Sequence, residues 1–145
     1  MITDEQKQQV LNLLRTEFIC VASTIGSNGF PESAALAFTT FDDLTIAFQT
    51  PNTTRKYKNL QTNAHVSIVV GWDVQKMLTV QYEGEARELT DEQEINKTRM
   101  AQLAKNPASK KYAYLPENKY FVVTPKWLRY TDLQKHPTDI FEVSF

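Results

Sequence analysis

The sequence predicts one domain, mainly β with peripheral helices, whose antiparallel strands close into a small barrel. Three observations predict it. About eight short strand-like runs are separated by hairpin-length turns, without the strand–helix alternation that a parallel sheet requires. One run, Met77 to Leu89, is unusually long for a strand and carries Gly84 in its apolar register, where a glycine marks the bend of a barrel corner. The glycines, Gly26, Gly29, Gly71 and Gly84, fit no Gly-x-Gly-x-x-Gly or Walker spacing, which removes a doubly wound nucleotide fold.

Each element follows in order. Thr3-Asp4-Glu5-Gln6 has the spacing of a capping box, and Val10, Leu11, Leu14 and Phe18 then form one narrow apolar stripe. A stripe so narrow predicts a helix lying on the surface. Phe18 to Thr24 reads as a strand, Gly26 to Gly29 as a turn, Glu32 to Thr40 as a second strand, and Leu44 to Thr50 as a third after Phe41-Asp42-Asp43. Two hairpins in a row make a meander. Thr54 to Gln61 is one or two helical turns, with Thr53 or Thr54 as cap. Val66 to Val70 is the next strand. Along Met77 to Leu89, Val80, Tyr82 and Ala86 share one face. Thr90-Asp91-Glu92-Gln93 repeats the capping-box spacing, and Ile95, Met100 and Leu103 give that helix a sparse apolar face ending at Asn106-Pro107. Lys119 to Thr124, Lys126 to Leu133 and Asp139 to Phe145 read as three closing strands.

With 145 residues, 16 Lys and Arg against 17 Asp and Glu, and 41% hydrophobic residues, the chain is an ordinary globule with no linker or repeat. Balanced charge gives no reason to expect nucleic acid, and the Lys105 to Lys111 stretch reads as a solvated loop. The apolar runs are too short to span a membrane, and the polar, acidic N-terminus is unlike a secretory signal, so a cytoplasmic location is expected. Cys20, the single cysteine, excludes an internal disulfide and reads as a buried thiol. His65 and His136 have no partners at ligand spacing, so no metal site is expected.

The segment Thr50 to Lys58 is the most informative. A strand end leads into a hydroxyl-rich loop, and Arg55 and Lys56 then open a short helix. Free N–H groups and the dipole at a helix start favour an anion; Thr53 and Thr54 can donate to phosphate, Arg55 can clamp as a fork and Lys56 can add a point charge. The plainer reading is two surface cations, yet cations there oppose the helix dipole, a conflict that a bound anion reverses.

Strand, turn and strand, then Thr53-Thr54-Arg55-Lys56, then Asn59 to Ile68, resemble the pyridoxamine 5′-phosphate oxidase-like family of FMN-binding split barrels. Val80 to Leu89, the helix opening at Thr90, and Val123 to Asp132 fit in the same order. The resemblance implies a split barrel in which Thr54, Arg55 and Lys56 hold the FMN phosphate. It lays Ala34, Ala35, Leu36, Ala37, Phe38 and Thr39 along the isoalloxazine, and brings Gln49 and Thr50 to the phosphate-ribityl side. It also implies a homodimer with the cofactor at the subunit interface, Thr79 or Gln81 facing the flavin from the other subunit. Trp127 and Tyr130 either line the cleft or fill the barrel. The second face of the long strand, with Trp72 and Tyr82 near it, is a further motive for the dimer.

The departures are specific. Thr39 stands where the biosynthetic oxidases carry a basic residue, Thr79 stands for their Gln, and Leu133 to Asp139 lacks their Arg-rich segment. These argue against pyridoxamine phosphate as substrate and toward general-stress-protein-like members. The resulting expectation is an FMN-dependent oxidoreductase acting on an undefined small molecule, with reduced nicotinamide as a possible donor and no assigned catalytic side chain. The alternatives are a non-catalytic flavin-binding or stress protein, and a fold relative that binds haem or another ligand.

Overall fold

The computed structural model describes residues Met1–Phe145. In chain order the elements are α1 (Asp4–Thr16), β1 (Ile19–Ile25), β2 (Pro31–Thr40), β3 (Ile46–Pro51), α2 (Arg55–Leu60), β4 (His65–Val70), β5 (Leu78–Glu88), α3 (Glu92–Lys105), α4 (Lys110–Ala113), β6 (Asn118–Asp132) and β7 (Asp139–Ser144). A 3₁₀ turn, Pro107–Ser109, joins α3 to α4. The strands run β3-β2-β1-β4-β5-β6-β7, all antiparallel, and β3 pairs back with β6 to close a six-stranded barrel. The barrel with peripheral helices is the fold class that the sequence predicts.

Closure depends on β6. Its Asn118–Val123 portion pairs with β3 and its Trp127–Asp132 portion with β7, while β5 runs along its other edge. Of the three closing strands expected from the sequence, the first two, Lys119 to Thr124 and Lys126 to Leu133, are one continuous strand through Pro125. Pro125 lacks an N–H to donate and sits at the register shift opposite Gly84, where a bulge absorbs it. A Cβ on Gly84 would lie 2.5 Å from the Thr124 carbonyl oxygen and 2.7 Å from Val123 Cγ1. The glycine is therefore required by the closeness of two backbones.

The capping box at α1 is formed: Gln6 N–H donates to Thr3 Oγ1 and Thr3 N–H to Gln6 Oε1, both at 3.1 Å. That helix is no surface appendage. Val10, Leu11, Leu13 and Leu14 are all buried and belong to the 21-residue core, whereas Phe18, outside the helix, is exposed. Leu13 widens the stripe and inserts the helix into the barrel end. At α3 the cap is Asp91 rather than Thr90, accepting from Glu94 N–H at 2.9 Å. Tyr82 is fully buried, its hydroxyl 2.8 Å from the Val123 carbonyl oxygen and 3.1 Å from that of Leu44, so it belongs to the core and not to an outer face. Cys20 is buried as expected, and burial pushes its thiol up to about 12.

Lys105 is a structural residue and not part of a solvated loop. Its ammonium donates to the Leu14 carbonyl at 2.8 Å and lies 3.8 Å from the Phe38 ring centroid, joining α1, α3 and β2. Burial lowers its pKa to about 8. One turn earlier on α3, Gln102 is 2% exposed and neither amide atom has a hydrogen-bond partner.

Two stability measurements follow. Gly84→Ala should lose about 1–3 kcal/mol in urea unfolding, because the added methyl meets a carbonyl oxygen that cannot move without opening the bulge. Unchanged stability would mean that the bulge relaxes freely. Gln102→Leu should raise Tm, since a buried amide without partners costs about 1–3 kcal/mol. A lowered Tm would reveal a partner, such as an internal water.

Candidate functional site

The barrel is split beside β2. β3 pairs with β2 only over Phe38, Thr39 and Thr40, then diverges to follow β6. Two hydrogen bonds fix the phase of β2: Phe38 N–H donates to Phe18 C=O at 3.4 Å and Gly26 N–H to Phe30 C=O at 2.9 Å. Even-numbered residues of β2 therefore bond to β1, while Ser33, Ala35 and Ala37 turn their N–H and C=O groups to the opposite edge. β3 pairs with that edge only at its Phe38–Thr40 end, and no strand pairs with it at Ser33 and Ala35.

At the end of this edge lies a pocket of about 380 Å³, lined by Thr24, Glu32, Ser33, Ala34, Thr54, Arg55 and Lys56. Four predicted residues thus meet there: Ala34, Thr54, Arg55 and Lys56. α2 positions the two cations. Thr54 is its cap, accepting from Tyr57 N–H at 3.3 Å.

The hydroxyls hold the site instead of offering protons to a ligand. Thr54 O–H donates to the Pro51 carbonyl at 3.0 Å, so Thr50 O–H is the donor in its 2.9 Å contact with Thr54. Thr50 in turn accepts from Lys56 Nζ at 3.5 Å. Its oxygen is the single polar partner of a half-buried ammonium that has no carboxylate within salt-bridge reach. Burial without compensation moves the Lys56 pKa down. A cation so placed is poised for an anion.

Arg55 is arranged differently from the expected clamp. Its side chain is 79% exposed and paired with Glu32, whose carboxylate also accepts from Asn59 Nδ2 at 2.7 Å. Asn59 is buried and donates to Thr24 Oγ1 at 3.0 Å as well. The Asn59 hydrogen bond, then Arg55, hold Glu32 below its ordinary pKa, so it stays ionised. Sequence reasoning missed both Glu32 and Asn59, because their partners lie on other elements. With six residues, α2 has a small dipole, and the charge of the site resides in side chains.

The other predicted residues divide by face. Phe38 is in the core, Leu36 packs against it, and Thr39 is buried. Gln49 Oε1 accepts from Asn118 Nδ2 at 2.8 Å. Thr79, Gln81 and Trp127 lie on the outer face of the barrel, away from the pocket. Tyr130 is a core residue, 4% exposed and stacked on Phe141 with ring centroids 5.0 Å apart. It fills the barrel because it shares the inward register of Leu128. No group of three or more His, Cys, Asp or Glu side chains gathers as a metal site. No helix is long and apolar enough to cross a membrane.

The family profile described as pyridoxamine 5′-phosphate oxidase matches residues 6–132. The chain belongs to this family. Solved structures agree in fold. The general stress protein 26 of Bacillus anthracis str. Sterne has TM-score 0.73 at 18% identity, with 94% of this chain and 98% of that one covered. A putative pyridoxamine 5′-phosphate oxidase from Listeria innocua has TM-score 0.72 at 18% identity, covering 86% and 96%. A heme binding protein from Mycobacterium smegmatis has TM-score 0.83 at 13% identity, covering 99% of this chain but 60% of that one. No curated protein matches the chain. In this family member the pocket lined by Arg55 and Lys56, the exposed β2 edge and the split between β2 and β3 adjoin one another.

The Lys56 site makes a direct prediction. A folded pKa below the unfolded one means that the protonated lysine opposes folding, and stability from this group recovers as pH rises through the lowered value. Lys56→Met should therefore raise Tm at neutral pH without added anion. Excess inorganic phosphate should raise the Tm of the wild type by mass action and leave Lys56→Met unmoved. Equal increments in both proteins would remove Lys56 from the anion site.

Proposed function

We propose that the protein is an FMN-binding flavoprotein, an oxidoreductase acting on a small molecule, with the FMN phosphate at Lys56 and Arg55. The observation that carries this is the half-buried, carboxylate-free Lys56 ammonium in a pocket at the foot of an unpaired strand edge. The two features suit the two ends of one ligand. Lys56 answers the phosphate charge, with Thr50 and Thr54 holding the ammonium in place. Ala35 presents unpaired N–H and C=O groups of the kind that a heterocycle edge can bond, and its methyl leaves room for a flat ring. Bound FMN supplies hydride chemistry; the chain's own residues bind it, orient it and cover it.

One protomer covers little of such a ligand. Exposed Phe18 and Ile19 lie at one end of the β2 edge and Phe30 at the other, and Gln81 and Trp127 face outward elsewhere on the barrel. These features support a homodimer in which a second copy closes the cleft; a reduced nicotinamide is the electron donor that goes with the oxidoreductase reading. A haem reading has one observation in its favour. His65, an imidazole of the kind that haem iron takes as an axial ligand, lines a separate pocket of about 340 Å³.

The experiment is an absorption spectrum of the purified protein, then fluorescence titrations with FMN and riboflavin on wild type and Lys56→Met. FMN should bind wild type about ten- to a hundredfold more tightly than Lys56→Met, the loss expected for one charged hydrogen bond. Riboflavin, which has the ring and no phosphate, should not distinguish them. Indifference of FMN to Lys56 overturns the assignment, and a Soret band in place of flavin bands replaces it with haem. Light scattering with and without FMN reads the dimer, and turnover with reduced nicotinamides separates an oxidoreductase from a flavin-binding protein.

A further inference from the structure

We propose that Glu32 is an internal counter-anion of the phosphate pocket, holding Arg55 when no phosphate is present and weakening the grip on phosphate when it is. The inference rests on the FMN reading and concerns how tightly that ligand is kept. The geometry is asymmetric. Glu32 is fixed: its side chain is 19% exposed, and it accepts from Asn59, itself buried and tied to Thr24. Arg55 is mobile by comparison, 79% exposed and held by the Glu32 carboxylate alone. An arriving phosphate can draw the guanidinium over; the carboxylate stays.

Charge then sets the consequence. Lys56 and Arg55 contribute two positive charges to the pocket and Glu32 removes one. A phosphate monoester near neutral pH carries roughly −1.5 to −2 charges. The pocket therefore under-compensates the ligand by about half to one charge, and Arg55, which spends one of its five N–H donors on Glu32, meets phosphate with its charge already partly neutralised. Glu32 makes the flavin exchangeable.

Glu32→Gln tests this in the full chain, since glutamine keeps an acceptor for Asn59 and removes the charge. Fluorescence titration should show FMN bound about five- to tenfold more tightly than by wild type, with slower release and unchanged riboflavin affinity. Glu32→Ser, which removes the charge without depending on amide placement, should tighten FMN as well. Unchanged or weaker FMN binding by both variants, with riboflavin binding retained, overturns the proposal. Joint loss of FMN and riboflavin, with a lowered Tm, also overturns it, because Glu32 then serves only to tie α2 to the barrel. Lys56→Met keeps the two readings apart. If it fails to lose FMN selectively, the phosphate assignment itself is wrong; if it loses FMN while Glu32→Gln gains none, only the counter-anion role falls.

Discussion

β3 offers one edge to β2 and the other to β6, and it follows β6 along its whole length while leaving β2 early. It gives three residues to β2 and all six to β6. Backbone hydrogen bonding makes this choice decisive, because each N–H and C=O of a strand needs a partner or an exposed edge. In following β6, β3 turns away from β2 beyond Phe48 and leaves the Ser33–Ala35 part of that edge unpaired, and α2 is delivered beside it because the chain leaves β3 at Pro51. Barrel and cleft have one cause.

The same division governs the interior. α1 fills one end of the barrel with Val10, Leu11, Leu13 and Leu14, while polar groups at the other end are tied by Asn59, Thr24 and Glu32. An apolar plug at one end stabilises by burial. A hydrogen-bonded plug at the other tolerates charge nearby. The pocket lies at the polar end, where the core contributes least and a bound ligand disturbs least.

Much of the fold was legible because it is encoded locally. Hairpin turns, the Thr3 cap and the inward alternation of Val80, Tyr82 and Ala86 each lie within a short window of sequence. The errors came where a distant partner decides. Pro125 looked like a strand break until Gly84, far away in sequence, provided the bulge that accommodates it. For Tyr130 the sequence leaves cleft and core both open, and its stacking on Phe141 decides for the core. Leu13 widened a stripe that the sequence presented as narrow. At the site, the local run Thr54-Arg55-Lys56 was legible as a cluster of cations. Which cation is sheltered was not, because Glu32 reaches Arg55 across 23 residues of chain.

That last point changes the chemistry attributed to adjacent residues. Arg and Lys at neighbouring positions on a helix face different surroundings, since successive side chains are rotated by roughly 100°. Here one rotation turns Arg55 to solvent and a carboxylate, and Lys56 toward the threonines at the end of β3. A guanidinium gains from a planar partner and tolerates exposure; an ammonium on a flexible stem can be half-buried with one hydroxyl for company, at the expense of its pKa. The arrangement separates two tasks that a single motif would merge. Lys56 makes the pocket positive whether or not a ligand is bound, and the Glu32–Arg55 pair adjusts how positive it is. An anion site tuned by an opposing fixed charge can bind an anion without holding it permanently.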